Sequence, residues 1–140
     1  HRLDEVSGLG LLTASALKTA VGTPERFASG RHLSAWLGMT PNEYSSGERR
    51  KLGRISCKGN VYVRTLLIHG ARAALLAAKR CQARTPQRLT QLQRWALQTA
   101  ERIGHNKAAV ALANKLVRIC WAVWCHERRF SGDWQSARPA

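Results

Sequence analysis

The stretch Val63-Arg64-Thr65-Leu66-Leu67-Ile68-His69-Gly70-Ala71-Arg72-Ala73-Ala74-Leu75 decides the fold class of this 140-residue chain. Its apolar and small residues recur in steps of three and four, which is the spacing of one face of an α-helix. The small residues at positions 70, 71 and 74 on that face indicate close packing against another helix. The sequence therefore predicts a long helix that begins after Asn60.

Two further helices are predicted upstream of this one. The first covers residues 11–21, because Gly22 and Pro24 follow it at once and such residues commonly end a helix. The second is shorter and follows Ser29-Gly30, with an apolar stripe made by Leu33, Ala35, Trp36 and Leu37. Because large aromatic residues at helical spacing usually fill interiors, Trp36 is expected in the core.

Two more helices are predicted downstream. Thr85 as the N-cap and Pro86 in the first helical position open one that carries Leu89, and Gly104 ends it. The last helix runs from about Asn106 to Glu127 and is expected to bury Ala109, Leu112, Ala113, Leu116, Cys120, Val123 and Trp124. No apolar/polar alternation is long enough to indicate a sheet, so the predicted fold class is all-α, as a compact helical domain.

Length and composition support one domain. A chain of 140 residues with 44% hydrophobic residues can bury one hydrophobic core and is too short to form two stable domains. We assign residues 1–130 to this domain. Residues 131–140 lack helical spacing and are expected to form a loose tail.

The charge of the chain is strongly one-sided. It has 23 Lys and Arg against 8 Asp and Glu, which gives a net charge of +15 and a pI near 11.2. Such an excess favours a nucleic-acid partner. A ribosomal or architectural binding protein and a protein-interaction domain whose charge serves solubility remain alternatives. No stretch reads as apolar for long enough to span a bilayer and no signal peptide is recognised, so a cytoplasmic location without a membrane partner is expected.

The cysteines do not predict a metal site. They lie at positions 57, 81, 120 and 125, without the two-residue spacing that closes a structural zinc site. In a cytosolic protein we expect reduced, partly buried thiols instead.

A basic loop between the second and third predicted helices carries two hydroxyl groups, on Ser45 and Ser46. Residues 49–58 carry five cations and no acid, so a phosphate backbone passing here would be neutralised beside a hydroxyl able to attack phosphorus. The alternative is an ordinary turn followed by a solvated basic loop. The candidate phosphate contacts are Arg49, Arg50, Lys51, Arg54 and Lys58, and Arg64 could extend the track onto the long helix.

The N-terminal stretch Val6-Ser7-Gly8-Leu9-Gly10 precedes a predicted helix and is similar to the hairpin of a helix-hairpin-helix element. In such an element the glycines let backbone N–H groups approach a DNA phosphate, and the helix N-terminus adds its positive end. Gly8 and Gly10 are therefore candidate nucleic-acid contacts. Packing of this hairpin against protein alone is the alternative.

In their order along the chain, these motifs resemble the C-terminal serine domain of the DEDD transposases, the recombinases of one class of bacterial insertion sequences. The resemblance covers roughly residues 3–130, nearly the full chain. Its motifs are Val6-Ser7-Gly8-Leu9-Gly10, Thr13-Ala14, Phe27-Ala28-Ser29-Gly30-Arg31, Ala35-Trp36-Leu37-Gly38-Met39-Thr40-Pro41, Ser46-Gly47, Gly53, Ile55-Ser56, Lys58-Gly59-Asn60, Arg64 and Asn106-Lys107-Ala108-Ala109-Val110-Ala111-Leu112-Ala113-Asn114-Lys115-Leu116.

The resemblance implies a serine nucleophile that attacks a DNA phosphodiester and holds the strand as a phosphoserine ester until rejoining. Ser46, immediately before Gly47, matches the nucleophile of the family. Cys57 stands where a basic residue is common in relatives, so one phosphate contact of the family is not expected here.

The same resemblance implies partners. The family joins this region to an N-terminal RuvC-like domain whose Asp and Glu residues bind Mg²⁺, and a structured guide (bridge) RNA selects the DNA. That acidic domain is absent from this sequence, so we expect a catalytic fragment without a cofactor of its own, which binds nucleic acid but recombines only with its partner domain. A homo-oligomer, a dimer or tetramer, is expected in the synaptic complex.

Overall fold

The computed structural model describes residues 10–39, 41–46, 49–55 and 61–125. Helices build most of this part of the chain, which confirms the all-α prediction, and one two-stranded hairpin accompanies them. The helices are α1 (Leu11–Val21), α2 (Gly30–Trp36), α3 (Val61–Arg84), α4 (Gln91–Ile103) and α5 (His105–Cys125), with short 3₁₀ turns at Pro24–Arg26 and Pro86–Arg88. The strands are β1 (Pro41–Ser46) and β2 (Arg49–Ile55).

Helix α5 lies at the centre of the fold and packs against α2, α3 and α4. It can do so because apolar or small residues occupy most of its circumference, as is usual for a buried helix. Each fully buried leucine contributes on the order of 1.5–3 kcal/mol of transfer free energy. The largest fully buried side chains of the described residues are those of Leu17, Val21, Leu33, Leu37, Met39, Val63, Leu67, Leu75, Leu116 and Val117.

Helix α3 begins at Val61, directly after Asn60 as predicted. Its buried residues follow a four-residue step from Val63 through Leu67, Ala71 and Leu75, with Ala78 continuing the stripe. The opposite side faces solvent, and the partly buried Ile68 and Ala74 beside the stripe also pack against the core.

The start of α4 differs from the prediction. Thr85 and Pro86 open only a 3₁₀ turn without a side-chain cap, and Leu89 is extended. The helix begins five residues later, where Thr90 Oγ1 accepts from Gln93 N at 3.2 Å and Gln93 Oε1 accepts from Thr90 N at 3.0 Å. This reciprocal capping box satisfies two backbone donors, whereas Thr85 satisfies none. The helix ends before Gly104 as predicted, at a φ of 93° that favours glycine.

Two helices are more apolar over their length than the sequence analysis expected. Val61–Arg84 and His105–Cys125 reach mean hydropathies of 1.2 and 1.4, enough by length and composition to cross a membrane. The expectation that no segment has this length and hydropathy was therefore wrong. Both helices pack against each other around the core, and core helices of soluble proteins meet the same criteria, so the two do not indicate a membrane protein.

Helices α2 and α5 approach each other closely at Gly30. A Cβ atom at this position would lie 2.9 Å from Arg118 Cα and 3.0 Å from Arg118 O, closer than real Cβ contacts allow. The Ser34 hydroxyl of α2 also donates a hydrogen bond to Asn114 Oδ1 of α5. Glycine is therefore needed here for space rather than for an unusual dihedral angle.

We expect Gly30→Ala to lower the free energy of unfolding by about 1–3 kcal/mol, because the clash is with backbone that cannot move alone. The greater helix propensity of alanine, up to about 1 kcal/mol, offsets only part of this cost. Urea unfolding followed by circular dichroism measures it. Gly10→Ala is the matched control, since nothing lies within 4 Å of a Cβ built at Gly10 and its φ is −75°. Equal stability of the two variants would contradict the close approach.

The three cysteines of the described residues are free thiols, and they differ in burial. Cys120 is fully buried in the core, and this burial raises the pKa of its thiol to about 12. Cys81 and Cys125 are partly exposed. The expected partial burial thus holds for these two, whereas Cys120 is fully enclosed.

Alkylation should therefore spare Cys120 in the folded protein. With a pKa near 12, its reactive thiolate is only on the order of one part in ten thousand at pH 8, and reagents lack access to it. Peptide mass spectrometry after a short iodoacetamide pulse should find Cys81 and Cys125 modified, and Cys120 only after denaturant is added. Modification of Cys120 as fast as Cys81 in native buffer would disprove this burial.

Candidate nucleic-acid interface

The segment predicted as a basic serine loop forms an antiparallel β-hairpin in its backbone. Strands β1 and β2 pair directly, with two residues between Ser46 and Arg49. The described register is Ser46 with Arg49, Ser45 with Arg50, Tyr44 with Lys51, Glu43 with Leu52 and Pro41 with Ile55. The local expectation of a loop without strands was therefore wrong, although the fold class is not affected.

The hairpin escaped prediction because its strands are polar. Apolar/polar alternation marks a strand that buries one face, and this segment lacks that alternation. Backbone hydrogen bonds pair strands whatever their side chains are, and a two-residue connection is the commonest hairpin length. The irregularity in the register lies between Pro41 and Glu43, where the proline at the strand start has no N–H to donate.

The register shows which of the residues grouped in the sequence analysis are direct neighbours across the two strands. Ser46 is the last residue of β1 and Arg49 the first of β2, and directly paired residues have Cα atoms about 4.5–5.5 Å apart. Arg50 and Lys51 follow on the same strand, and Arg54 lies near its end. Of the remaining candidates, Lys58 and Gly8 lie outside the described residues.

Gly10 is the N-cap residue of α1 and lies at the surface. Its carbonyl accepts a hydrogen bond from Ala14 N at 2.9 Å, which is the first bond of the helix. Nothing crowds this position, so a ligand could approach the helix N-terminus here. The hairpin predicted to precede it, residues 6–9, lies outside the described residues, so the helix-hairpin-helix element stays a prediction.

Arg64 holds two elements together. It lies in the first turn of α3, half-buried, and its Nη1 donates to Leu37 O at the end of α2, at 3.4 Å. The aliphatic part of the side chain thus packs against protein, while the guanidinium donates to a backbone carbonyl at the C-terminal end of α2. Any phosphate contact by Arg64 would be made in addition to this structural role.

A cation–aromatic cluster lies at the end of α2, just before the hairpin. The Phe27 and Trp36 rings are 5.5 Å apart, and the Arg26 guanidinium carbon lies 5.6 Å from each centroid. Arg26 Nη1 also donates to Val21 O at 2.6 Å, which fixes the side chain. Trp36 is 38% exposed, so its assignment to the core was wrong. The apolar stripe of α2 indicated burial, but only Leu33 and Leu37 of that stripe are fully buried.

Another cation–aromatic contact joins α4 and α5. Lys115 Nζ lies 4.7 Å from the centroid of Trp95, on the inner side of the helices. Burial, with a smaller effect from nearby Arg118, lowers the pKa of Lys115 below its usual value. Trp124, expected in the core, is partly buried and lies 6.0 Å from Lys18 Nζ.

Positive charge continues far beyond the hairpin. Residues 61–125 contain a single acidic residue, Glu101, against eleven basic ones. Most of these basic side chains are exposed, in particular those near the end of α3 and on α4. Of these residues the sequence analysis had named only Arg64 as a candidate contact, because a basic residue spaced along a helix carries no local signal of a binding role. The eleven are Arg64, Arg72, Lys79, Arg80, Arg84, Arg88, Arg94, Arg102, Lys107, Lys115 and Arg118.

The residues described do not fit a magnesium site. Across 10–39 and 61–125, no group of three or more His, Cys, Asp or Glu side chains is placed to hold a metal ion. Mg²⁺ prefers several carboxylate or water oxygens, and this basic part of the chain offers few carboxylates. The family resemblance places Mg²⁺ in the RuvC-like partner domain, not in this region.

Comparison with known proteins identifies a family. Residues 1–87 match the model of the transposase IS116/IS110/IS902 family. The chain is 43% identical over 127 residues to a probable family 20 transposase of Pseudomonas aeruginosa, covering 91% of this chain and 36% of that protein. It is 40% identical over 130 residues to the transposase for insertion sequence element IS1111A of Coxiella burnetii, covering 93% and 34%.

A third relative covers the same region. The transposase for insertion sequence element IS1328 of Yersinia enterocolitica is 35% identical over 131 residues, covering 94% of this chain and 37% of that protein. The chain thus spans about a third of the length of the relatives it matches.

Proposed function

Because the chain belongs to the transposase IS116/IS110/IS902 family, we propose that it supplies the serine nucleophile of a DNA transposase. Ser46 is the nucleophile, and the hairpin cations hold the DNA backbone against it. The single observation that carries this proposal is the backbone register, in which Ser46 pairs with Arg49 and Ser45 with Arg50. The family resemblance selects Ser46 of the two serines.

In the proposed step, Ser46 Oγ attacks the phosphorus of a DNA phosphodiester and forms a phosphoserine ester with the strand. The bond from phosphorus to the leaving deoxyribose oxygen breaks, and this oxygen takes up a proton. The serine proton leaves to a base that we place in the acidic partner domain. Attack on the ester by the hydroxyl of another DNA end rejoins the strand and restores Ser46.

The cations of the hairpin stabilise the phosphoryl group during the reaction. Negative charge develops on the phosphoryl oxygens as the serine attacks, and guanidinium groups stabilise it through paired, charge-assisted hydrogen bonds. Arg49 and Arg50 pair with the two serines in the register. Lys51 and Arg54 follow on the same strand and Lys58 follows in the sequence, and we assign all three to further phosphates of the DNA backbone. Gly8, Gly10 and Arg64 contact nucleic acid away from the reacting phosphate.

The proposal includes partners outside this chain. A RuvC-like domain of the same protein supplies Mg²⁺-binding carboxylates, and a guide (bridge) RNA selects the DNA. The complete protein acts as a homo-oligomer on DNA in the bacterial cytoplasm. The net charge of +15 supports the nucleic-acid partners.

The test is to join this chain to the RuvC-like region of a full-length relative and to supply Mg²⁺, guide RNA and cognate DNA. After nuclease digestion, mass spectrometry should find a nucleotide remnant on the peptide that contains Ser46. A remnant on another residue, or recombination without any covalent adduct, would overturn the proposal.

A further inference from the structure

We infer that a cavity between α3 and α4 binds an unpaired nucleotide of a nucleic-acid strand, at a second site separate from the hairpin. The cavity has a volume of about 460 Å³ and lies in the hairpin of helices made by α3 and α4. Small-molecule sites have volumes of roughly 300–1,000 Å³, so one nucleotide fits. The residues that carry the argument are Lys79, Gln82, Leu89, Arg94, Leu97 and Gln98.

The cavity lies far along α3 from the end of that helix that follows the hairpin in the chain. Lys79 lies 18 residues beyond the start of α3, and at 1.5 Å per residue this places it about 27 Å along the helix from Val61. The hairpin precedes Val61 in the chain. The phosphate of a strand held at the cavity would therefore differ from the phosphate that Ser46 attacks.

Two cations stand at the walls of the cavity, one on each helix. Lys79 is exposed, and its ammonium group donates a hydrogen bond to His105 Nδ1 at 2.9 Å. An ammonium group has three donors and no acceptor, so the histidine nitrogen must accept and two donors remain. Arg94 is exposed on the facing helix and offers a guanidinium fork. Together the two can hold one phosphate group.

The remaining lining suits a base rather than a second phosphate. Gln82 and Gln98 offer amide donors and acceptors, and Leu89 and Leu97 offer apolar surface. Glu101 also lines the cavity, and its carboxylate can accept from an exocyclic amine or a ribose hydroxyl. A carboxylate would repel a second phosphate. A cation pair beside amides, leucines and one acid matches a nucleotide whose base has left the helix stack.

A double-stranded backbone or a lipid surface fits these observations less well. In a duplex the base edges are paired, so the base cannot enter a cavity without being extruded. An anionic membrane recruits exposed cations but makes no use of a concave polar lining. The inference rests on the proposed function only for the class of partner, because it needs neither Ser46 nor any covalent step.

The test measures binding of the 140-residue chain to a fluorescent 12-nucleotide single strand, as DNA and as RNA, and to a duplex of the same length. The variant is Lys79→Ala with Arg94→Ala. The matched control is Arg80→Ala with Arg102→Ala, which removes the same charge from exposed positions on the same helices that do not line the cavity. Circular dichroism verifies folding of both.

We expect the cavity variant to lose about tenfold in single-strand affinity at 150 mM salt and the control about threefold or less. Duplex affinity should fall equally in both. Gln98→Leu should weaken single-strand binding alone, since it keeps the net charge. If the wild type prefers RNA over DNA and Glu101→Gln loses this preference, the carboxylate contacts a ribose hydroxyl. If the wild type binds RNA and DNA equally, the carboxylate contacts the base.

Equal losses in the cavity variant and the control, or equal losses for single strand and duplex in the cavity variant, would overturn the inference. So would tight competition by anionic vesicles that the same variant abolishes. Photocrosslinking of a 4-thiothymidine strand to the wild-type chain gives a second measurement, and it should label peptides from residues 79–101. A crosslink confined to the hairpin would reject the cavity, whereas the Ser46 adduct would be unaffected by either result.

Discussion

Ser46→Ala should abolish the covalent protein–DNA adduct while leaving non-covalent DNA binding unchanged. The substitution removes the attacking oxygen and touches neither the cations of β2 nor the helical core. Loss of a nucleophile reduces the chemical step by a factor on the order of 10⁴–10⁶, so adduct should fall below detection. Because one hydroxyl contributes little to phosphate affinity beside several cations, the dissociation constant should change less than about twofold.

Ser45→Ala is the matched control, since Ser45 is the neighbouring hydroxyl and pairs with Arg50 where Ser46 pairs with Arg49. It should retain nearly full adduct formation. The measurement traps adducts on denaturing gels for wild type and both variants, joined to the acidic partner domain and supplied with Mg²⁺, guide RNA and cognate DNA. Persistent adduct in Ser46→Ala, or its loss in Ser45→Ala alone, would move the nucleophile elsewhere.

The same experiment separates catalysis from binding alone. A non-catalytic basic module would bind the DNA and form no adduct in any variant. In that case the one-sided charge of residues 61–125 would account for all of the affinity.

Charge reversal on the first three residues of β2 should have the second largest effect. Replacing Arg49, Arg50 and Lys51 with Glu lowers the net charge by six, from +15 to +9. Each phosphate contact contributes about 0.9 to the slope of log affinity against log salt for duplex DNA, so three lost contacts should reduce this slope by about 2.7. At low salt the affinity should fall by several orders of magnitude, because the new carboxylates also repel phosphate.

The control for net charge reverses Arg80, Arg84 and Arg102, which are exposed on α3 and α4, far from the hairpin along the chain. This variant also has a net charge of +9 and should keep most of the wild-type slope for duplex DNA. Titrations at five or more salt concentrations measure both. If the two variants lose equal slope, the hairpin is no more important for binding than any other part of the basic surface.

Local signals in the sequence predicted the ends of helices well, because the residues that stop a helix act on their immediate neighbours. Helix α1 ends at Val21 because Gly22 and Pro24 cannot continue it, and α4 ends at Gly104 for a related reason. The start of α4 was misplaced because Thr85 followed by Pro86 matches a common helix start. The reciprocal hydrogen bonds of Thr90 and Gln93 open the helix instead.

Exposure was harder to predict than helicity. Trp36 lies on an apolar stripe, yet it is 38% exposed, whereas Leu33 and Leu37 of the same stripe are fully buried. Gly30 could not have been distinguished from an ordinary helix-start glycine. Its importance comes from Arg118, 88 residues later in the chain.

By itself the sequence determined the helical class of the domain, the positive charge, the family and the choice of Ser46 as candidate nucleophile, because spacing, composition and short motifs are properties of neighbouring residues. The tertiary structure decided which basic residues lie next to the serine and which line the cavity. Strand pairing set Arg49 opposite Ser46, and the packing of α3 against α4 put Lys79 and Arg94 on one cavity. These contacts join residues through backbone pairing and helix packing, whose geometry no local pattern of side chains contains.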